Sequence, residues 1–267
     1  MSRKDITLIV GAGTVENSWL PVIRAIERTY DINTNRDGAN FLMAREVYLL
    51  RSYSTFAQRD HYPEVFKIMK SNVDILKQNI AHELRKAQET GEIKARPILK
   101  EIISKFTDES SDRIALVSTN WDEVIDVAIN KVYRWGKPSK TRDIECYHIH
   151  GSIKKPSTLY LPSEISLENY RNEDEEMLIA NNHINFVSLL QNNNKTILYG
   201  LSLDPLDAEL NVALSGGWQS KKNEEIIIIN PNHEIVAERV KLLIDRKSTI
   251  KIIGYHPNDL NTKIEYS

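Results

Sequence analysis

The sequence predicts an α/β fold: a mostly parallel sheet with helices on both faces and a helical insertion after the first strand-helix unit. Three observations predict it. Apolar, β-branched runs alternate along the chain with segments of helical period. One run, Ile226-Ile227-Ile228-Ile229, shows no polar alternation, as suits a parallel strand buried on both faces. Polar residues recur just past the C-terminal ends of the apolar runs, where open α/β sheets bind ligands. The 267 residues read as one domain spanning 1–267, with the insertion at about 36–108.

The first strand, Leu8-Ile9-Val10, runs straight into the glycine turn Gly11-Ala12-Gly13 and then a helix. From Trp19 to Tyr30 the apolar positions Leu20, Ile23, Ile26 and Tyr30 keep helical spacing. A long helical region follows, from about Asn40 to Phe106, with no strand in it. Within it Val65, Met69, Val73, Leu76, Ile80 and Leu84 step by three and four, giving one long helix an apolar stripe that reads as intramolecular core. Arg113 to Ser118 is the next strand, followed by a helix from about Asp122 with Ile125, Ile129 and Val132 on one face. Further strands are expected at Ile144 to Ile149, Thr196 to Tyr199, Ile226 to Ile229 and Ile250 to Ile253, separated by helices such as Leu206 to Leu214 and Ile235 to Ile244. The polar segments Asn172 to Glu176 and Gln191 to Lys195 read as surface connections, the acidic run Glu173 to Glu176 also suiting a solvated helix start. The succession of elements is Rossmann-like.

Gly11 and Gly13 let a phosphate approach the main chain, and a helix after them would point free N–H groups at the anion, so the turn is a place for a nucleotide. Two familiar nucleotide patterns fit poorly. A P-loop closes on Gly-Lys-Ser/Thr, whereas Gly13 is followed by Thr14-Val15-Glu16-Asn17-Ser18 with no lysine. The dinucleotide fingerprint wants a third glycine where Glu16 stands, and a second strand ending in an acidic residue. Asp31 lies at a suitable distance, but helical spacing precedes it.

Composition narrows the function classes. Hydrophobic residues at 41% and charged residues at 27% describe a globular chain able to bury a sizeable core. A net charge of −2 supplies no global basic field, so direct nucleic-acid binding is not expected. Tyr48, Tyr53, Phe56 and Tyr62, interspersed with Arg45, Arg51 and Arg59, read instead as helical packing beside a solvated basic face. Met1 to Asp5 lead into a short strand that is neither signal peptide nor membrane span, and a cytoplasmic chain without membrane attachment is expected. Cys146 is the sole cysteine, which leaves no intrachain disulfide and no cysteine cluster for structural zinc.

Five strand ends form one constellation: Gly11-Ala12-Gly13, Thr119-Asn120-Trp121-Asp122, His148-Ile149-His150-Gly151, Gly200-Leu201-Ser202-Leu203-Asp204 and Asn230-Pro231-Asn232. In type and order they resemble the sirtuin-like family of NAD-consuming proteins. Sirtuins carry Gly-Ala-Gly-x-Ser-x-x-Ser-Gly-Ile-Pro-Asp-Phe-Arg after the first strand. Gly11, Ala12, Gly13, Ser18, Pro21 and Arg24 stand in that register, while Val15, Trp19, Val22 and Ile23 depart from it. The family's Thr-x-Asn-x-Asp block resembles Ser118-Thr119-Asn120-Trp121-Asp122, closed up by one residue. Its His-Gly resembles His150-Gly151, its Gly-Thr-Ser resembles Gly200-Leu201-Ser202, and its strand-ending Ile-Asn resembles Ile229-Asn230. The four-cysteine zinc module of the family's deacetylases is absent, and Val22 and Ile23 replace their Asp-Phe pair beside nicotinamide. The chain therefore resembles the zinc-free bacterial branch of antiphage defence.

That resemblance implies an NAD hydrolase (NADase) that releases nicotinamide and ADP-ribose, with NAD as substrate and no metal, serving as an antiphage effector that depletes NAD in abortive infection. It also implies control from outside the site, by homo-oligomerisation or a separately encoded HerA-type ATPase. Two alternatives remain open: a non-catalytic module that senses NAD or ADP-ribose and regulates the ATPase, and an NAD-dependent protein deacylase.

The chemistry is consistent with the residue types. Nicotinamide leaves NAD from a cationic state and needs no general acid, so the site must stabilise an oxocarbenium-like centre and deliver a nucleophile. Asn120 can orient water or the ribose, and His150 can accept a proton at cellular pH. Asp122 can anchor the carboxamide and Arg24 can meet a phosphate or ribose, while Gly200, Ser202 and Asn230 hold the pyrophosphate or the adenosine side. Structural roles compete with each. Asn120 or Asp122 can cap the following helix, Asn230-Pro231-Asn232 can be a simple turn, and His148 is expected to share a strand face with His150, so spacing leaves the choice of base open.

Overall fold

The computed structural model describes residues 4–58, 61–108, 112–133 and 144–266; Met1 to Arg3 and Arg59 lie outside them. Strand β1 (Asp5–Val10) does not pass directly into a helix. It enters a 3-10 turn over Ala12–Thr14 and a two-residue strand, β2 (Val15–Glu16), before α1 (Leu20–Tyr30) begins. Pro21 lies in the first turn of α1, where its missing N–H would have had no intrahelical partner.

The helical stretch follows as α2 (Arg36–Ala57) and α3 (Pro63–Glu89). A second short strand, β3 (Lys94–Ala95), interrupts it before α4 (Leu99–Phe106). It pairs antiparallel with β2, Val15 opposite Ala95 and Glu16 opposite Lys94. Strands of two residues leave no periodicity to read, which is why the sequence gives no sign of this pair.

Then come β4 (Arg113–Ser118), α5 (Val124–Val132), β5 (Cys146–His148) and α6 (Glu173–Asn192). Asn172 caps α6 in a reciprocal capping box with Glu175, so the acidic run is the first turn of a long helix and not a connection. The chain ends with β6 (Lys195–Tyr199), α7 (Ala208–Trp218), β7 (Glu225–Ile229), α8 (His233–Leu243), β8 (Lys251–His256) and β9 (Asp259–Tyr266). Among the residues of β9 only Leu260 is buried, so this charged edge strand lacks the apolar signature of its neighbours.

Seven strands form one sheet in the order β5-β4-β1-β6-β7-β8-β9. All neighbours are parallel except β8 and β9. From β1 the chain builds outward through β4 to β5, then returns to the other side of β1 at β6. The strand order therefore reverses between β1 and its neighbours, the switch point at which such sheets open a crevice beyond the strand C-termini.

Alternate side chains feed two cores. Ile6, Leu8, Val10, Leu116, Ile197 and Ile229 join α1 to α5 on one face, where Val73, Leu76, Ile80 and Leu84 of the α3 stripe are buried. Ile9, Val117, Leu198, Ile226 and Ile228 join α6, α7 and α8 on the other. No helix among the described residues is long and apolar enough to cross a membrane.

Buried charge braces the helical stretch against the segment 151–172. Lys77 of α3 donates to Glu164 at 2.8 Å, and Tyr170 donates to the same oxygen at 2.9 Å. Arg171 lies 3.2 Å away, and the Leu161 amide donates to the second oxygen at 2.6 Å. Burial opposes the charge of Glu164, but Lys77 and Arg171 outweigh it and hold the carboxyl below its ordinary range. Arg51 of α2 similarly forks onto Glu168, with its Nε donating at 2.9 Å.

Removing Lys77 strands part of this buried charge. Lys77→Met should cost about 3 kcal/mol in urea denaturation, the low end for a broken buried pair because Arg171 remains. Lys67→Ala, which breaks an exposed pair with Glu64, should cost under about 1 kcal/mol. Equal costs would contradict the bracing role.

Candidate active site

The crevice at the switch point is a cavity of about 710 Å³, within the range of small-molecule sites. Backbone packing shapes its floor. The Gly11 amide donates to the Tyr199 carbonyl at 3.0 Å and the Gly13 amide to the Gly200 carbonyl at 3.1 Å. A Cβ on Gly11 or Gly13 would stand 2.9 Å from the Gly200 oxygen, and Gly200 itself holds φ at +68°. The two glycines of the turn therefore serve first to let the β6 loop close on the β1 loop. Their amides are spent on that contact and not left free for a phosphate.

Of the residues singled out from sequence, Gly11, Ala12, Gly13, Ser18, Thr119, Asn120, Asp122, His150, Gly200, Ser202 and Asn230 all line this cavity. Pro21 and Arg24 do not. Pro21 is buried in the first turn of α1. Arg24 turns the other way and forks onto Glu92 at 2.5 and 2.8 Å, with Glu83 at 3.3 Å. The hydrogen-bonded Glu92, with Glu83, raises its pKa and commits its charge inside the fold. The expectation from sequence is that Arg24 meets a phosphate or ribose; in the fold it stands outside the cavity, paired with Glu92 and Glu83.

Two cations the sequence did not single out line the cavity instead, Arg36 and Arg96. The guanidinium of Arg36, at the start of α2, lies 4.9 Å from the ring centroid of Trp19. Arg96 follows β3, its amide donating to Thr14 O at 3.0 Å and its Nε to Gly13 O at 2.8 Å. The β2–β3 pair thus delivers a charge to the glycine turn, and nothing in local spacing announces it.

Asn120 follows β4 and is buried, 6% exposed. Its Nδ2 donates to Thr14 Oγ1 at 3.3 Å, and Thr14 in turn donates to Gly11 O at 2.7 Å. This relay fixes the amide's orientation and leaves Oδ1 buried without a partner. An unpartnered buried acceptor beside a cavity is a place where a donor from ligand or water belongs.

Asp122 holds the start of α5 and also lines the cavity. Its Oδ1 accepts from the Val124 amide at 3.0 Å. Burial pushes its carboxyl up to about 6, against the opposing pull of that amide and of His148. Ser18, Thr119 and Asn230 likewise brace the backbone around the cavity: Ser18 donates to Ala12 O at 3.0 Å, Thr119 to Val10 O at 3.2 Å and Asn230 to Leu201 O at 2.7 Å.

The two histidines do not share a face, because β5 ends at His148. His148 turns toward α5, where Nε2 meets Asp126 at 2.9 Å and Nδ1 meets the Asn120 carbonyl at 2.9 Å. His150 lines the cavity, its ring stacked on Tyr160 at 5.7 Å and its Nε2 3.0 Å from Asp207. Burial disfavours its charge, but Asp207 and a backbone hydrogen bond to Thr119 raise its pKa above the ordinary value. Of the two, His150 alone can reach a ligand in the crevice. Its Asp207 partner, just before α7, gave no motif to find.

Compared with known proteins, the chain matches no protein-family model, and no curated protein matches it.

The raised carboxyl of Asp122 generates a test of its burial. The folded chain keeps this proton to a higher pH than the unfolded chain, so folding loses stability as pH rises from about 4 through about 6, by at most about 3 kcal/mol. Asp122→Asn removes that loss. The variant's melting temperature relative to wild type should therefore rise between about pH 4.5 and about pH 7.5, and a difference independent of pH would contradict the raised carboxyl.

Proposed function

We propose that the chain is an NAD glycohydrolase, cleaving the bond between nicotinamide and ribose. The observation that carries the reading is Asn120: a buried amide, oriented through Thr14 and with Oδ1 left unpartnered, on a residue that lines the same switch-point cavity as His150. The order of the five strand ends, which resembles the zinc-free sirtuin-like branch, supports it.

The bond between C1′ and the pyridinium nitrogen breaks with its electron pair going to nicotinamide, which leaves neutral. Water adds to C1′ and yields its proton to a base. Asn120 Oδ1 accepts from that water or from a ribose hydroxyl and holds it against the reacting carbon. His150 takes the proton once Nε2 exchanges Asp207 for the substrate. Asp122 receives the carboxamide end. Gly11 to Gly13, Gly200, Ser202 and Asn230 line the path of the remaining dinucleotide, where Arg36 and Arg96 supply charge for its pyrophosphate. Unrestrained turnover would exhaust the host's NAD, so control falls to oligomerisation or a partner ATPase.

One observation favours the second reading, a module that senses NAD or ADP-ribose. In this structure Nε2 of His150 faces a carboxylate and the ring also hydrogen-bonds the Thr119 backbone, two acceptors that together suit a doubly protonated ring and not a base.

Nicotinamide release from NAD, measured on the purified chain with and without a partner ATPase and beside NAD binding by calorimetry, separates the readings. Hydrolysis predicts release that falls about 10²- to 10⁴-fold in Asn120→Ala and in His150→Ala. Saturable binding with no release under any condition would leave the sensor. Release only with an acyl-lysine peptide would indicate the deacylase.

A further inference from the structure

Behind Asn120, on the side of β4 and β5 that faces α5, lies a cluster outside the cavity. Cys146 and His148 stand two residues apart on β5, the edge strand, and Asp126 comes from the start of α5. Cys146 Sγ, a His148 ring nitrogen and an Asp126 carboxylate oxygen all lie within 4.8 Å of one another, the one such trio among the described residues.

Donor bookkeeping makes this more than proximity. The Asn120 carbonyl can only accept, so the Nδ1 of His148 that meets it at 2.9 Å carries the hydrogen. That leaves Nε2 as the ligating nitrogen, and a metal-bound histidine is commonly oriented in this way, by a carbonyl on its other nitrogen. Nε2 in turn faces Asp126 Oδ1 at 2.9 Å, another acceptor, so either a second ring proton or a metal ion sits between them. The second oxygen, Oδ2, is buried, and apart from the Cys146 thiol and His148 no side chain among the described residues donates to the carboxylate. Lys154, the cation flanking the cluster, is held by Glu123 at 2.5 Å.

We propose that Asp126, Cys146 and His148 bind one divalent transition ion of the zinc class. One thiolate, one carboxylate and one neutral imidazole balance a dication and present the S, O and N donors that zinc takes. Zinc–ligand bonds of about 2.0–2.3 Å put tetrahedral ligand atoms about 3.3–3.8 Å apart, so His148 Nε2 and Asp126 Oδ1 need to part by only about half an ångström. The ion displaces the thiol proton and the proton between His148 and Asp126 to solvent, and the half-buried cluster leaves its fourth position for water. It clamps α5 to the sheet edge and, through His148, fixes the Asn120 carbonyl. The lone cysteine ruled out a multi-cysteine zinc module; a mixed site needs only one.

The proposal is independent of the NAD chemistry, and its test reads metal alone. Purified full-length chain is titrated with Co²⁺ and Zn²⁺, followed by absorption, by metal content after dialysis and by thermal melting. We expect about one ion per chain, a thiolate-to-cobalt charge-transfer band that vanishes in Cys146→Ser, and affinity more than about 100-fold weaker in Asp126→Asn, since loss of a mere outer-shell partner costs about 10–100-fold. Zinc should raise the melting temperature of wild type but not of the Cys146→Ser/Asp126→Asn double variant. Absence of the band in folded wild type would overturn the site, as would equal metal retention by the folded double variant.

Discussion

The structure depends on one close backbone contact, the β1 loop against the β6 loop at the switch point. Gly13 donates to the carbonyl of Gly200, and no side chain at Gly11, Gly13 or Gly200 fits without displacing the other loop. This contact sets the depth of the crevice. Thr14 leaves it pointing back at Gly11 O and so becomes the anchor for Asn120. The amide's orientation, the unpartnered Oδ1 and the position of Arg96 on Gly13 O all follow from two loops approaching closer than any Cβ allows.

The walls are held by a different kind of interaction. Segment 151–172, which carries Tyr160 and Glu164 to the cavity, has little regular structure of its own and is tied to α2 and α3 through Arg51–Glu168 and Lys77–Glu164. Buried pairs of this sort are poor sources of net stability but costly to break, so they fix position more than they add strength. The helical stretch is thereby coupled to the wall of the crevice. Any partner that moved α2 or α3 would act on Tyr160, against which His150 stacks.

Much of the fold was legible because it rests on burial. β4 and β7 carry continuous apolar runs, β1 one from Leu8 to Val10, and the α3 stripe is periodic, so period and length decide them. β2 and β3 are too short to have a period, and β9 is a charged edge with one buried side chain, so neither leaves an apolar trace. Strand ends located nearly half of the cavity residues for the same topological reason. Arg24 stands outside the cavity: motif register says where a residue falls on α1 but not which way its side chain turns, and Glu92 and Glu83 pair with it. Arg36, Arg96 and Asp207 escaped notice because their positions come from β2–β3 pairing and helix docking, which are long-range facts. The histidine pair was ambiguous until the end of β5 at His148 turned the two rings to opposite sides.

The central claim is that the switch-point crevice holds NAD with its nicotinamide ribose against Asn120. A crystal structure of the His150→Ala chain grown with NAD tests it most directly, since this variant should bind the dinucleotide without consuming it. The account predicts the pyrophosphate within reach of Arg36 and Arg96, and a ribose hydroxyl or ordered water donating to Asn120 Oδ1. NAD seated elsewhere, or a crevice that stays empty at saturating NAD, would contradict it.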